Sequence, residues 1–164
     1  MIKSFREVLT EATEQEVTTR NGKIVPKDRK ELMKLVRDVS IHLGDIDTSK
    51  ITDMSWLFYH SYREDFSGIE NWDVSNVTDM SNMFWDCSEF NQPLNKWDVS
   101  KVRYMTKMFK ACFKFNQPLD KWDVSKVESY VGMFLDADNF RQDLSRWSKV
   151  NPNLDLDRLS EDDD

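Results

Sequence analysis

Four tryptophans recur at a fixed step: Trp72, Trp97, Trp122 and Trp147 stand 25 residues apart. Three of them open one phrase, WDVSNV at 72–77 and WDVSKV at 97–102 and 122–127. Met80-Ser81-Asn82-Met83-Phe84 returns as Met105-Thr106-Lys107-Met108-Phe109 and then as Tyr130-Val131-Gly132-Met133-Phe134. Phe90-Asn91-Gln92-Pro93-Leu94 returns as Phe115-Asn116-Gln117-Pro118-Leu119 and, more loosely, as Phe140-Arg141-Gln142-Asp143-Leu144. A degenerate first copy, IDTSKITDMSWLF at 46–58, has Ile46 in the tryptophan's place and runs one residue longer before Trp72. A unit this short cannot bury its own apolar positions. It must lay them against the same positions of its neighbours, so a fixed period of this length predicts a solenoid.

The predicted fold class is an α+β repeat solenoid of about four 25-residue coils over residues 46–147. Within a coil, Met80, Met83, Phe84 and Cys87 fall at i, i+3, i+4 and i+7, which predicts about two turns of helix. Pro93 and Pro118 then stop a helix. One short strand per coil is expected at 94–97 or 99–102. Asp-Val-Ser after each Trp reads as a turn in which Asp and Ser side chains bond nearby backbone N–H groups. The expected core is Trp72, Trp97, Trp122 and Trp147 with Met80, Met105, Phe84, Phe109 and Phe134. Burying one Trp removes roughly 150–250 Å² from water, a gross gain on the order of 4–6 kcal/mol, so the Trp column is the first candidate for the main source of stability. The Met and Phe stripes recur in every copy, which makes them packing positions rather than a sulfur-aromatic cofactor box.

The phrases WDVSNVTDMSNMF and FNQPLNKWDVSKV resemble the BspA-type leucine-rich-repeat family with 25-residue units, a domain of unknown function. The lead-in KIVPKDRKELMKLVRDVSIHLGDIDTSKITDMSWLF is similar to that family's helix-plus-first-repeat start. The resemblance covers roughly residues 23–147. It implies a leucine-rich-repeat-like solenoid used for binding, without family-wide catalytic residues.

The repeat also sets the other boundaries. Residues 16–45 hold a hairpin or extended arm around Asn21-Gly22, followed by an N-terminal capping helix from about Asp28 to Leu43 that Gly44 ends. Lys23, Lys27, Arg29, Lys30, Lys34 and Arg37 give this cap a basic face, read as solvated, with an anion patch as the alternative. Residues 148–164 form a short far-end cap and an acidic tail. Residues 1–15 are a separate N-terminal peptide, targeting or amphipathic. Within it MIKSFREVLTEA at 1–12 resembles the capsid-targeting peptide of internal head proteins of T-even-type tailed phages. That resemblance implies cleavage by a prohead protease at the Leu9-Thr10-Glu11 site, before Ala12. It also implies a protein found in the virion capsid interior, the host cytoplasm, or both.

Chemistry is sparse. His42 and His60 lack Cys or carboxylate partners at ligand spacing, so no metal site is expected. Cys87 and Cys112, one repeat apart, are read as buried free thiols, with a disulfide as the alternative. Asp73, Asp98 and Asp123 form a column read as turn caps rather than a calcium ladder. Phosphate, dinucleotide, nucleophile-elbow and zinc-protease motifs are absent, and no cofactor and no enzyme activity are expected. The net charge of -7, from 23 Lys+Arg against 30 Asp+Glu, disfavours nucleic acid and anionic membrane as partners. No apolar run is long enough for a transmembrane helix, and the charged start is not read as a secretory signal.

Positions that change between copies face solvent and carry specificity. Among them Trp85, Arg103, Tyr104, Lys107, Lys110 and Phe113 are the candidate protein-binding residues, rich in the types that anchor interfaces. The expectation is a non-enzymatic protein-binding repeat protein, phage-encoded and packaged in the capsid, whose partner is a host or phage protein such as a defence enzyme. Two rivals are a bacterial surface or adhesion module and an acidic mimic of nucleic acid that blocks a DNA-binding enzyme.

Overall fold

The Asn21-Gly22 pair makes the first turn. In the computed structural model, which describes residues 18–162, Asn21 and Gly22 take φ of 52° and 78°. Two successive left-handed residues suit a tight hairpin, and β1 (Thr19–Arg20) pairs antiparallel with β2 (Lys23–Ile24). The 1–15 peptide, with Leu9, Glu11 and Ala12, lies outside the described residues.

Asp28 then caps α1 (Arg29–Arg37), its Oδ1 accepting from the Glu31 N–H at 2.8 Å, while the Glu31 carboxylate accepts from the Lys27 N–H. Leu32, Leu35 and Val36 turn inward. The helix stops at Arg37, six residues short of the expected Leu43. Asp38 accepts from both the N–H and the hydroxyl of Ser40, and this local turn replaces the next helical one. His42 therefore lies beyond the helix. Its Nδ1 accepts from the Gly44 N–H at the head of a single 3-10 turn, Leu43–Asp45.

Beyond α1 the backbone repeats unit by unit. Residues 81–86 are a staircase of turns, not the helix that their apolar spacing suggests. The N–H groups of Met80, Asn82, Phe84 and Asp86 donate to Tyr104, Thr106, Met108 and Lys110 in the next unit at 2.8–2.9 Å. The intervening N–H groups of Met83, Trp85 and Cys87 bond three residues back. Met54, Trp56, Phe58 and His60 repeat the outward pattern one unit earlier, and Met105, Lys107, Phe109 and Ala111 one unit later. With every second amide committed to a neighbour, the i→i−4 ring of an α-helix cannot form. The outward steps demand left-handed residues: Asn82 and Asp86, like Trp56, His60, Lys107, Ala111, Gly132 and Asp136, have φ between 51° and 65°.

The expected strand per unit is likewise replaced. Residues 94–97 and 99–102 close as turns, Trp97 N–H to Leu94 O and Val102 N–H to Val99 O. The units meet instead through isolated parallel bridges, Asp53 with Asp79, Asp79 with Tyr104 and Tyr104 with Ser129.

The core is aromatic. Phe58, Phe84, Phe109 and Phe134 stack in register, centroids 5.4, 5.5 and 5.6 Å apart and planes within 6°. Phe90, Phe115 and Phe140 form a second column, each about one ring width from its partner in the first: Phe84–Phe90 4.0 Å, Phe109–Phe115 4.2 Å, Phe134–Phe140 4.0 Å. All four repeat tryptophans are buried, along with Met80 and Met105. Among the described residues, only Trp122 and Trp147 of those four stack on each other, at 6.2 Å. The phenylalanines thus make the unbroken spine. The indoles do a second job: their Nε1–H groups reach into the preceding unit, Trp72 to Leu43 O, Trp97 to Ile69 O, Trp122 to Leu94 O and Trp147 to Leu119 O, at 2.8–3.1 Å.

Both ends are closed. Buried Arg63 ties α1 to the first unit through backbone carbonyls. At the far end α2 (Ser145–Val150) leads to Asn151, whose side-chain amide donates to Val124 O and Val127 O. Gly132 and Phe134 then donate to Arg158 and Leu159, so residues 154–160 take the place of a further unit.

Candidate functional site

The staircases put their changing side chains on one surface. Corresponding positions are Tyr59, Trp85, Lys110 and Leu135 on one tread, and Trp56, Asn82, Lys107 and Gly132 on another, as the bond pattern fixes. The constant positions between them, Phe58, Phe84, Phe109 and Phe134, point into the core.

The first two units present a ring cluster. Trp85 lies 5.7 Å from Trp56 and 5.2 Å from Tyr59, and Trp56 meets Tyr59 edge-on at 5.0 Å. Trp56 and Tyr59 remain 40% and 39% exposed. The His60 Nδ1 contacts the Asp86 carboxylate at its margin. Below, the Lys110 ammonium sits 5.1 Å from the Trp85 ring centre, a cation–π distance. Lys107 and Lys110 both face the Asp162 carboxylate, at 2.8 and 3.6 Å.

Of the six residues expected to bind, the structure brings together Trp85, Lys107 and Lys110. Arg103 and Tyr104 stand at the head of the third staircase. Arg103 pairs with Glu128 at 2.6 Å, and its guanidinium carbon lies 5.9 Å from the Tyr104 ring centre. Phe113 lies past the foot of that staircase, 41% exposed and without a ring partner among the described residues. The reading of variable positions left out Trp56, Tyr59 and Tyr62, the last 96% exposed. Their signal was present as the run Trp56-Leu57-Phe58-Tyr59-His60-Ser61-Tyr62, which lies in the degenerate first copy, outside the three regular units whose variable positions define that set.

The remaining chemistry-bearing groups serve the scaffold. Asp73, Asp98 and Asp123 each accept from the N–H of the serine two residues on, at 3.0–3.1 Å. Bonds from the Ser100 and Ser125 side chains and backbones hold the Asp98 and Asp123 carboxyls below their usual range. Among the described residues no three His, Cys, Asp or Glu side chains cluster as metal ligands. Cys87 and Cys112 are free and buried, and their thiols donate to Phe58 O and Phe84 O at 2.9 Å. Burial pushes the Cys87 thiol up to about 12 and Cys112 higher than usual as well, the opposite of an activated nucleophile. Arg29 leaves the basic face of the cap, donating to Ser55 O and lying 3.5 Å from Asp53. Among the described residues no helix is long and apolar enough to cross a membrane.

What these features define is a stack of near-identical units that holds a constant backbone while its surface side chains change. The chain belongs to the family described as Mycoplasma protein of unknown function, DUF285, whose model matches residues 27–147. That family is related to the BspA-like repeat proteins. Neither the curated proteins nor the solved structures contain a match to the chain.

Proposed function

We propose that this chain is a non-enzymatic, leucine-rich-repeat-like solenoid that binds another protein through its staircase face. The observation that carries the reading is the ring cluster of exposed Trp56 and Tyr59 with half-buried Trp85, mounted at positions where the backbone is fixed and only side chains vary. Rigid aromatics on a preformed surface bind at low entropic cost, and Trp and Tyr lead the residue types that dominate interface energy. Arg103, Tyr104 and Phe113 extend the contact along the stack.

The sequence resemblance at residues 1–12 supplies the setting. The protein is phage-encoded, cut before Ala12, packaged in the capsid, and acts on a host protein such as a defence enzyme. The test is affinity capture from host lysate by the Ala12–Asp164 form and by its Trp56→Ala/Tyr59→Ala/Trp85→Ala variant. A specific host protein held by the first and lost by the second supports the reading. Capture that ignores all three substitutions sinks it. Intact mass of the protein from virions tests the setting: a species beginning at Ala12 is expected, and a full-length species alone overturns processing.

A further inference from the structure

One tread of the staircase is bare. Trp56, Asn82, Lys107 and Gly132 occupy the same position with φ of 61°, 59°, 54° and 65°. Large side chains tolerate that backbone in three units, so the φ angle alone does not call for glycine in the fourth. Space does. A Cβ on Gly132 would stand 2.9 Å from the Glu161 carbonyl oxygen and 3.2 Å from Lys107 Cγ. The missing side chain makes a floor over which the main chain crosses at Glu161.

The crossing is held from both sides. Gly132 N–H donates to Arg158 O at 3.0 Å and Phe134 N–H to Leu159 O at 2.8 Å, which delivers the tail to the staircase. Asp162 then spans Lys107 and Lys110. The hydrogen bond from Lys107 holds the Asp162 carboxyl below its usual range. Both lysines are mostly covered, with side chains 18% and 16% exposed, and Lys110 also faces Trp85. The tail itself reads Glu161-Asp162-Asp163-Asp164. The step therefore combines two converging ammonium groups, an aromatic wall and a floor fitted to a passing main chain. A bare anion would need only the lysines; the glycine floor fits a peptide.

We propose that the step formed by Lys107, Lys110, Gly132 and Trp85 is a docking site for an acidic segment of the partner protein, and that the chain's own acidic tail occupies it in cis as a competing stand-in. This rests on the protein-binding reading above and names the partner's chemistry and its regulation. A tethered tail competes at an effective concentration on the order of mM, so a partner segment must displace it, and neutralising the tail opens the step.

The probe is a fluorescein-labelled peptide copying residues 156–164, titrated by anisotropy into full-length chains. The tail-neutral chain E161Q/D162N/D163N/D164N is expected to bind it about ten-fold or more tighter than the unaltered chain does. Adding K107Q/K110Q to that background abolishes binding, and high salt weakens it. A second readout needs no lysine substitution: in ¹⁵N spectra of the tail-neutral chain, the peptide shifts the Gly132 and Lys107 amide signals. Equal affinity of the peptide for the tail-neutral and the unaltered chain, binding that survives K107Q/K110Q, unmoved Gly132 and Lys107 signals, or tighter binding of an oligonucleotide than of the peptide would each overturn the proposal. Failure here leaves the protein-binding reading standing if the Trp56/Tyr59/Trp85 variant still loses its captured protein.

Discussion

Arg63 is 5% exposed, yet its partners are backbone oxygens rather than a carboxylate. Its guanidinium donates to Val36 O, Asp38 O, Ile41 O and Asp65 O at 2.7–3.3 Å. Two of these carbonyls close the C-terminal end of α1, where a cation is favoured. Burial lowers its pKa, which Asp65 and Asp38 partly offset, and at neutral pH it stays charged. Arg63→Met would leave several carbonyls without a donor and is expected to cost about 3 kcal/mol, read as a lower urea midpoint by circular dichroism. Arg63→Lys should recover little of it, since an ammonium cannot reproduce the planar fork. A loss under about 0.5 kcal/mol would show that water replaces the guanidinium. The sequence contains no trace of this role, because carbonyls gathered by tertiary folding leave no motif. The thiols are the opposite case: a position one repeat apart on an apolar stripe already placed Cys87 and Cys112 in the core. Cys87 titrates near 12 when folded, above its unfolded value, so the fold favours the neutral thiol. The resulting stability is complete below about pH 8.5 and lost as pH climbs toward 12. Iodoacetamide at mildly alkaline pH should leave the native protein unlabelled and label both thiols in urea, as mass spectrometry would show.

The staircase explains why its element was misread. Met80, Met83, Phe84 and Cys87 are all buried, as a helical stripe requires. A staircase with one inward residue per tread produces nearly the same spacing. What separates the two is a second pattern, residues that accept positive φ four apart, and it is clear only at Asn82 with Asp86 and Gly132 with Asp136. Trp56, His60, Lys107 and Ala111 obscure it in the other units. These non-glycine positions store strain that substitution can release or worsen. Ala111, at φ 56°, is expected to gain roughly 0.5–1 kcal/mol when replaced by Gly. Gly132→Ala should lose about 1–3 kcal/mol, because its Cβ meets the Glu161 carbonyl. Thermal midpoints measure both. A shift of the same sign for the two would mean that backbone strain and tail packing are not what distinguish these treads. The turn after Trp72, Trp97 and Trp122 was legible in its Asp, since Asp and Ser two residues apart make their bond locally; Trp147 instead lies inside α2. The Asp98 and Asp123 carboxyls titrate below the usual range, so the contribution of these two turns holds above about pH 4 and fades as pH falls further.

At the scale of the whole molecule, each unit bonds to the units on either side of it, and the phenyl spacing hardly changes along the spine. Stability in such a stack is a sum of unit and neighbour terms, closed by caps at the two ends. The period was legible because it is written in identical residues. The caps were legible only as positions, since Arg63, Asn151 and Tyr130 act through backbone groups that the repeat does not encode. A stack of this kind tolerates loss of a whole unit but not of part of one. Removing residues 73–97 joins Trp72 to Asp98, so the WDVS phrase is restored without a change of phase. Met54, Trp56, Phe58 and His60 then find Tyr104, Thr106, Met108 and Lys110 as acceptors, in the places of Asp79, Ser81, Met83 and Trp85. The shortened chain should unfold in one cooperative step, with a urea slope smaller by about one sixth and a lower midpoint. Removing 73–84 alone leaves spine phenylalanines opposite turn residues and should give no cooperative transition. If both deletions fold equally well, or neither does, the units are not additive modules. The same deletion also rewrites the surface: Tyr59 takes the place of Trp85 above Lys110. Side chains on the face can thus be reordered without touching the core that holds them.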